Sequence, residues 1–156
     1  MKTLVMGIGN ILRGDDGIGA AVIDALQGDA LPEHIDLLDA GTPGFELVLI
    51  MQDYDYVVVV DAADMGYEPG EWRMFTPDEV KLQAGDLYLR GTLHYAGLAE
   101  ALNLGEALGT LTAKIDIIGV QPATIDWQQG LSDPVAMTIA PICQAVLNLV
   151  QHVDPA

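Results

Sequence analysis

Apolar residues along this chain follow two rhythms. Five short runs rich in β-branched residues read as strands: "KTLVMG" (2–7), "IDLLD" (35–39), "YVVVVD" (56–61), "EWRMF" (71–75) and "KIDIIGV" (114–120). Four consecutive valines in the third run predict a central strand buried on both faces. Between the first two runs, Ile18, Ala21, Val22, Ala25 and Leu26 recur at helical spacing, so the chain opens β-α-β. Further helices are expected in "FELVLIMQDY" after Gly44 and in "HYAGLAEALNL", where Leu98, Ala101 and Leu102 share a face. A last helix is expected with Asp133 as N-cap and Pro134 in the first helical position, running to about Val150. Pro141 lies inside it and predicts a kink.

Alternating strands and helices give an α/β class: a three-layer α/β/α sandwich around a central, mostly parallel (mixed) sheet of about five strands. The Pro-Gly turn in "MGYEPGEWRMF" sends the chain directly from the third strand to the fourth, which predicts an antiparallel edge. "KLQAGDLYLRGT" (81–92) reads as a surface loop, and "QHVDPA" as a fraying tail. A length of 156 residues fits one domain over 1–156. No uninterrupted apolar run approaches the roughly 20 residues of a membrane span. The start "MKTLVMGIGN" lacks the long apolar region of a signal peptide, so the expectation is a cytoplasmic protein with no membrane partner. Six basic residues against 23 acidic ones give a formal charge of −17, which repels nucleic acid and anionic surfaces; its plain reading is solubility, and it would also steer in a basic protein partner.

The stretch "GIGNILRGDDGIG" after the first strand invites a dinucleotide reading, with Asp39 at the end of the second strand in the ribose position. Two features oppose it. Leu12 stands where a third glycine belongs, and Asp15 and Asp16 put negative charge where a diphosphate would sit. A P-loop lacks its Gly-Lys-Ser/Thr ending. The plain alternative is that one acid caps the helix and the other favours its first turn. Asp61, directly after the valines, falls at a strand's carboxyl end, where ligand sites collect in open α/β sheets. A loop-capping role within "DAAD" (61–64), which includes Asp64, competes with that reading. Of the histidines, His34 and His152 are expected to be exposed and inert. His94 sits in the first turn of a helix with Thr92 as its N-cap. Two carboxylates and one imidazole suit a divalent ion such as nickel, zinc or iron. The lone Cys143 reads as a buried structural thiol, and the only serine, Ser132, lies in a turn, so neither makes a convincing nucleophile.

"MGIGNILRGDDGIG", "LLDAGTPG", "VVVVDAADMGYEPGEWR", "TLHYAGLAEAL" and "IIGVQPATIDWQQGLSDPV" resemble, in order and spacing, the hydrogenase maturation endopeptidases, or hydrogenase maturation proteases. The resemblance covers nearly the whole chain. It implies a hydrolase, of aspartyl type by assignment, that removes the C-terminal extension of a NiFe-hydrogenase large-subunit precursor after nickel insertion. Substrate-borne nickel would serve as the recognition anchor, with no organic cofactor. Carried over position by position, the metal-contacting acid of the first motif falls on Asp16 rather than Asp15, the strand-end aspartate on Asp61 and the histidine on His94. These three are the implied catalytic and metal-contacting residues. Many relatives carry glutamate at the position of Asp16, and serine at that of Thr92. The resemblance also sets "DAGTPG" (39–44) beside the cleft, where Gly41 permits an unusual backbone angle. Two alternatives stand beside this reading: a non-catalytic nickel-handling accessory protein using the same triad, and a nucleotide-binding protein.

Overall fold

The computed structural model describes residues 1–80, 93–111 and 113–152, with side chains described outside 93–97. Strands β1 (Thr3–Gly7), β2 (Ile35–Asp39), β3 (Tyr56–Ala62), β4 (Trp72–Phe75) and β5 (Lys114–Val120) form one sheet in the order β2-β1-β3-β5-β4. All neighbours are parallel except β4, which runs antiparallel to β5 at the edge, as the Pro-Gly turn predicts. Helices α1 (Ile18–Leu26), α4 (Asp133–Ala136) and α5 (Ile139–Gln151) cover one face, and α2 (Glu46–Met51) and α3 (Leu93–Leu108) cover the other. The result is the expected three-layer α/β/α arrangement.

The valines of β3 divide between two cores because successive strand residues point to opposite faces. Val57 and Val59 join Leu47, Met51, Leu98 and Leu102 on the α2 and α3 side. Val58 and Val60 join Ile18, Val22, Ile142 and Val146 on the other. Each such buried side chain stabilises the fold by about 1.5–3 kcal/mol. The expected loop at 81–92, including the Thr92 cap, and tail residues 153–156 lie outside the described residues.

Helix α1 approaches the sheet unusually closely. A Cβ on Gly19 would sit 2.7 Å from the carbonyl oxygens of both Ile8 and Val60, and one on Gly7 would sit 2.4 Å from the Gly19 carbonyl. The glycine that lets helix and strand touch is therefore Gly19, not a residue at position 12. A 3-10 turn, Gly14–Gly17, is inserted between β1 and α1 and displaces the helix along the chain. The buried face of α1 is Ile18, Val22, Ile23 and Leu26, narrower than the apolar stripe in the sequence. Ala21 is only half-buried and Ala25 is exposed.

The C-terminal segment corrects the sequence reading in two ways. Ser132 occupies the N-cap position, and Asp133 is already helical. The helix also breaks at Met137 and Thr138, ahead of Pro141. Pro141 has no N–H for the Met137 carbonyl and its ring crowds that group, so a new helix starts and Pro141 falls in its first turn. The Thr138 hydroxyl donates to the Val135 carbonyl at 2.6 Å, closing the first piece. Taken as one stretch, Asp133–Gln151 has 19 residues at mean hydropathy 1.4, long and apolar enough by length and composition to cross a membrane. Here it is broken, and it buries Val135, Ile142, Val146 and Val150 against the sheet. Cys143 is half-buried rather than buried, with its thiol 3.9 Å from the Val22 carbonyl. Burial, and then the charge of Asp29, push that thiol's pKa up, away from the reactive thiolate.

Gly19→Ala is expected to lower the unfolding free energy in urea by about 1–3 kcal/mol, because the new methyl must push α1 off two strands. Gly28→Ala is the control. Its Cβ would meet only the Ala25 carbonyl at 3.5 Å, and the change should stay within about 1 kcal/mol of the parent.

Candidate active site at the carboxyl ends of the central strands

The chain leaves β1 toward β2 through α1 and returns past β1 to β3 through α2, so the strand order reverses between β1 and β3. Ligand sites of open α/β sheets form in the crevice outside this switch point. Two acids flank it. Val60 pairs with Gly7, the last residue of β1, and the next residue of β3 is Asp61. Asp61 is 0% exposed and continues the row of Val57 and Val59 that faces α2 and α3. Asp16 lies in the 3-10 turn after β1, which rests against β3, and is 2% exposed. Its Oδ2 accepts the Asn10 N–H at 2.8 Å. A side chain on Gly9 would collide with the Asp16 carbonyl at 2.0 Å, so the turn folds back on a residue that must be glycine.

His94 is the second residue of α3. The other end of α3 leads through residues 109–113 into the start of β5, so the helix runs back along the sheet. At about 1.5 Å per residue, its first turn reaches the carboxyl end of the strands, where Asp16 and Asp61 lie. The side chain of His94 lies outside the described residues. Among the described residues no three of His, Cys, Asp or Glu gather as a metal site. The structure thus describes two carboxylates of the implied triad and the backbone of its histidine.

Asp15 has a different task from its neighbour. It is 0% exposed, and its carboxylate accepts four hydrogen bonds from the loop after β5: Ala123 N–H at 2.8 Å, Thr124 N–H at 3.3 Å, Ser132 N–H at 2.6 Å and Ser132 O–H at 2.8 Å. Its own N–H donates to the Thr124 carbonyl at 3.0 Å, and Gly14 N–H donates to Gln128 at 2.7 Å. Asp15 therefore caps nothing in α1; it fastens the β1–α1 loop to the β5–α4 loop. The same contacts occupy the Ser132 hydroxyl. Arg13 strengthens the seam, with its Nε donating to the Ile125 carbonyl at 3.2 Å and its guanidinium 5.3 Å from the exposed Trp127 ring.

A second organiser was not singled out in the sequence. Gln121, buried just beyond β5, accepts the Met65 and Tyr67 N–H groups on Oε1 at 2.7 and 3.2 Å, and donates from Nε2 to Asp64 at 3.2 Å. This holds the β3–β4 loop and assigns Asp64 to loop structure. A polar residue ending an apolar strand was the available signal. His34 is half-buried and precedes β2, at the opposite end of the sheet, and His152 is exposed with its ring on the Asn148 carbonyl.

Beside Asp16, an open cleft of about 260 Å³ is lined by Gly9, Asn10, Ile11, Asp39, Gly41 and Thr42. The Gly9 N–H donates to the Gly41 carbonyl at 2.7 Å, which ties "DAGTPG" to this cleft. Gly41 has φ +64 and open space where a Cβ would be. The amides after β1 are already engaged: Gly9 with Gly41, Asn10 with Asp16 and Leu12 with the Asn10 side chain at 2.9 Å. A phosphate would have to displace these acceptors and approach two buried acids, which argues against the nucleotide alternative.

Comparison with known proteins agrees with the fold. The family model described as hydrogenase maturation protease matches residues 20–149. The chain is 36% identical over 142 residues to the hydrogenase expression/formation protein HupD of Bradyrhizobium diazoefficiens, covering 90% of this chain and 73% of that one. It is 32% identical over 149 residues to the hydrogenase 2 maturation protease of Escherichia coli K12, covering 94% and 89%. The solved structure of the hydrogenase maturating endopeptidase HybD from E. coli superposes with a TM-score of 0.87 at 31% identity, covering 97% of this chain and 93% of that one.

Asp15→Ala strands four donors in the seam and is expected to cost about 3 kcal/mol or more of stability in urea unfolding. Ser132→Ala removes one donor and should cost about 1 kcal/mol.

Proposed function

The chain belongs to the hydrogenase maturation protease family, and we propose that within it this protein removes the C-terminal extension of a NiFe-hydrogenase large-subunit precursor once nickel has been inserted. The observation that carries this reading is the pair of buried carboxylates, Asp16 and Asp61, flanking the switch point between β1 and β3. Two carboxylates at one switch point supply oxygen donors of the kind a divalent cation takes up. With the imidazole of His94 the donor set is one nitrogen and two oxygen ligands, suited to nickel.

In this mechanism the nickel arrives with the substrate. Asp16, Asp61 and His94 complete its coordination, and this contact fixes the peptide relative to the crevice. Orientation of that kind is worth many orders of magnitude in rate. Water then attacks the scissile carbonyl, with one of the two aspartates as general base or with the nickel polarising the carbonyl or the water. No serine or cysteine nucleophile is needed: Ser132 is held by Asp15, and Cys143 lies on α5. Processing becomes a checkpoint, since a precursor without nickel lacks the group that organises the cleft. The charge of −17 favours a partner with a basic docking face. Cytoplasmic action without membrane or nucleic acid fits that chemistry.

The test is cleavage of purified large-subunit precursor, loaded with nickel or free of it, read by the mass of the large subunit. The loaded form should be cut and the free form spared; equal cutting of both sinks the anchor. Alanine at Asp16, Asp61 or His94 should slow processing by about 10²-fold or more with the thermal melt retained. Normal processing by all three variants rejects the site, and nickel binding without any cleavage would mark an accessory protein.

A further inference from the structure

Ala21, the apolar-stripe residue that α1 leaves half-buried, has a definite location. Ala20 and Ala21 form the floor of a groove of about 340 Å³, with Ile11 on one wall, Leu131 on the other, and Asp24 and Asp39 at the rim. Its walls belong to the two loops that Asp15 fastens together, so its width is fixed. Ile11 and Asp39 also line the cleft beside Asp16, and are the ridge shared by the two depressions. Ile11 is 57% exposed, an aliphatic side chain held in water at the mouth of the crevice.

We infer that this groove seats the precursor segment just beyond the scissile bond, with an aliphatic side chain on the Ala20–Ala21 floor and a lysine or arginine beside it at Asp24. The inference rests on the proposed function and adds to it a second point of substrate selection. A peptide anchored at the crevice crosses the Ile11 ridge directly into the groove. The volume is that of a small ligand pocket, enough for one or two side chains. Its floor is built from small residues that leave room for an incoming side chain and make no demand for hydrogen bonds. Acids on the rim of a strongly acidic protein select against a free α-carboxylate, so the groove holds an internal stretch of the extension rather than its terminus. Discrimination then comes from both ends of the cut: nickel reports on the cofactor side, and the groove reads the extension to be discarded.

The experiment measures KM and kcat for nickel-loaded precursor with the full-length protein and two variants. Ala21→Leu fills the floor and should raise KM about ten-fold at nearly unchanged kcat. Asp24→Lys, on an exposed helix position, should raise KM for the natural precursor, and an acidic residue substituted for the basic one in the extension should restore it. Thermal melts establish that both variants fold. If the parent cuts the precursor but both variants do so at the parental KM, or if the charge swap fails to rescue Asp24→Lys, the groove assignment falls while the proposed function stands. If the parent protein itself leaves nickel-loaded precursor uncut, the proposed function falls and takes this inference with it.

Discussion

The carboxylate of Asp15 is the constraint on which the functional end of this molecule depends. It is fully buried, and a buried charge is tolerable only when its lone pairs are satisfied. Here the satisfaction comes from more than 100 residues away, from three backbone amides and one hydroxyl of the loop between β5 and α4. That single group closes two loops over the carboxyl ends of the strands. Asp16, the next residue, inherits its position from the same 3-10 turn, and the groove along α1 inherits its width. Adjacent aspartates of identical chemistry thus divide the work: one ties two loops together, and the other lies buried beside the crevice with its Oδ2 on the Asn10 N–H.

What the sequence made legible follows from the range of the interactions concerned. All five strands were readable, because a buried parallel strand such as Tyr56–Ala62 must be apolar whatever its partners are. The antiparallel edge was readable from a Pro-Gly turn too short for a crossover. The place of Asp61 near the carboxyl end of the strand was likewise readable from the four valines, although β3 runs one residue past it to Ala62. The anchoring role of Asp15 was not, because its partners lie in a loop with no periodic signal. Neither was the break in the last helix, where Pro141 acts four residues upstream through the Met137 carbonyl rather than at its own position. Gly19 was missed because the fingerprint of a dinucleotide fold assumes a helix that starts directly after the strand, and this one starts after an inserted turn.

The same inserted turn separates this fold in architecture from the dinucleotide-binding arrangement. Without it, the amides after β1 would point outward at a helix N-terminus, open to phosphate. With it, they are consumed by Gly41, Asp16 and Asn10, and two buried carboxylates, Asp16 and Asp61, lie at the switch point instead. On the function we propose, the same strand-turn-helix frame would serve a cation in place of an anion, with His94 of α3 as the third ligand. Under the function we propose, cleavage waits for a substrate that brings the metal, and this would couple peptide cleavage to cofactor assembly.

The central claim, that substrate-borne nickel is coordinated by this protein's own side chains, is tested most directly by X-ray absorption at the nickel edge. Nickel-loaded precursor would be measured alone and after rapid mixing and freezing with a stoichiometric amount of the protein, before turnover. The account predicts new oxygen and nitrogen scatterers in the nickel shell of the mixture, absent when the Asp16→Ala variant is used. An identical nickel shell with and without the protein, in samples that go on to be cleaved when thawed, would contradict it.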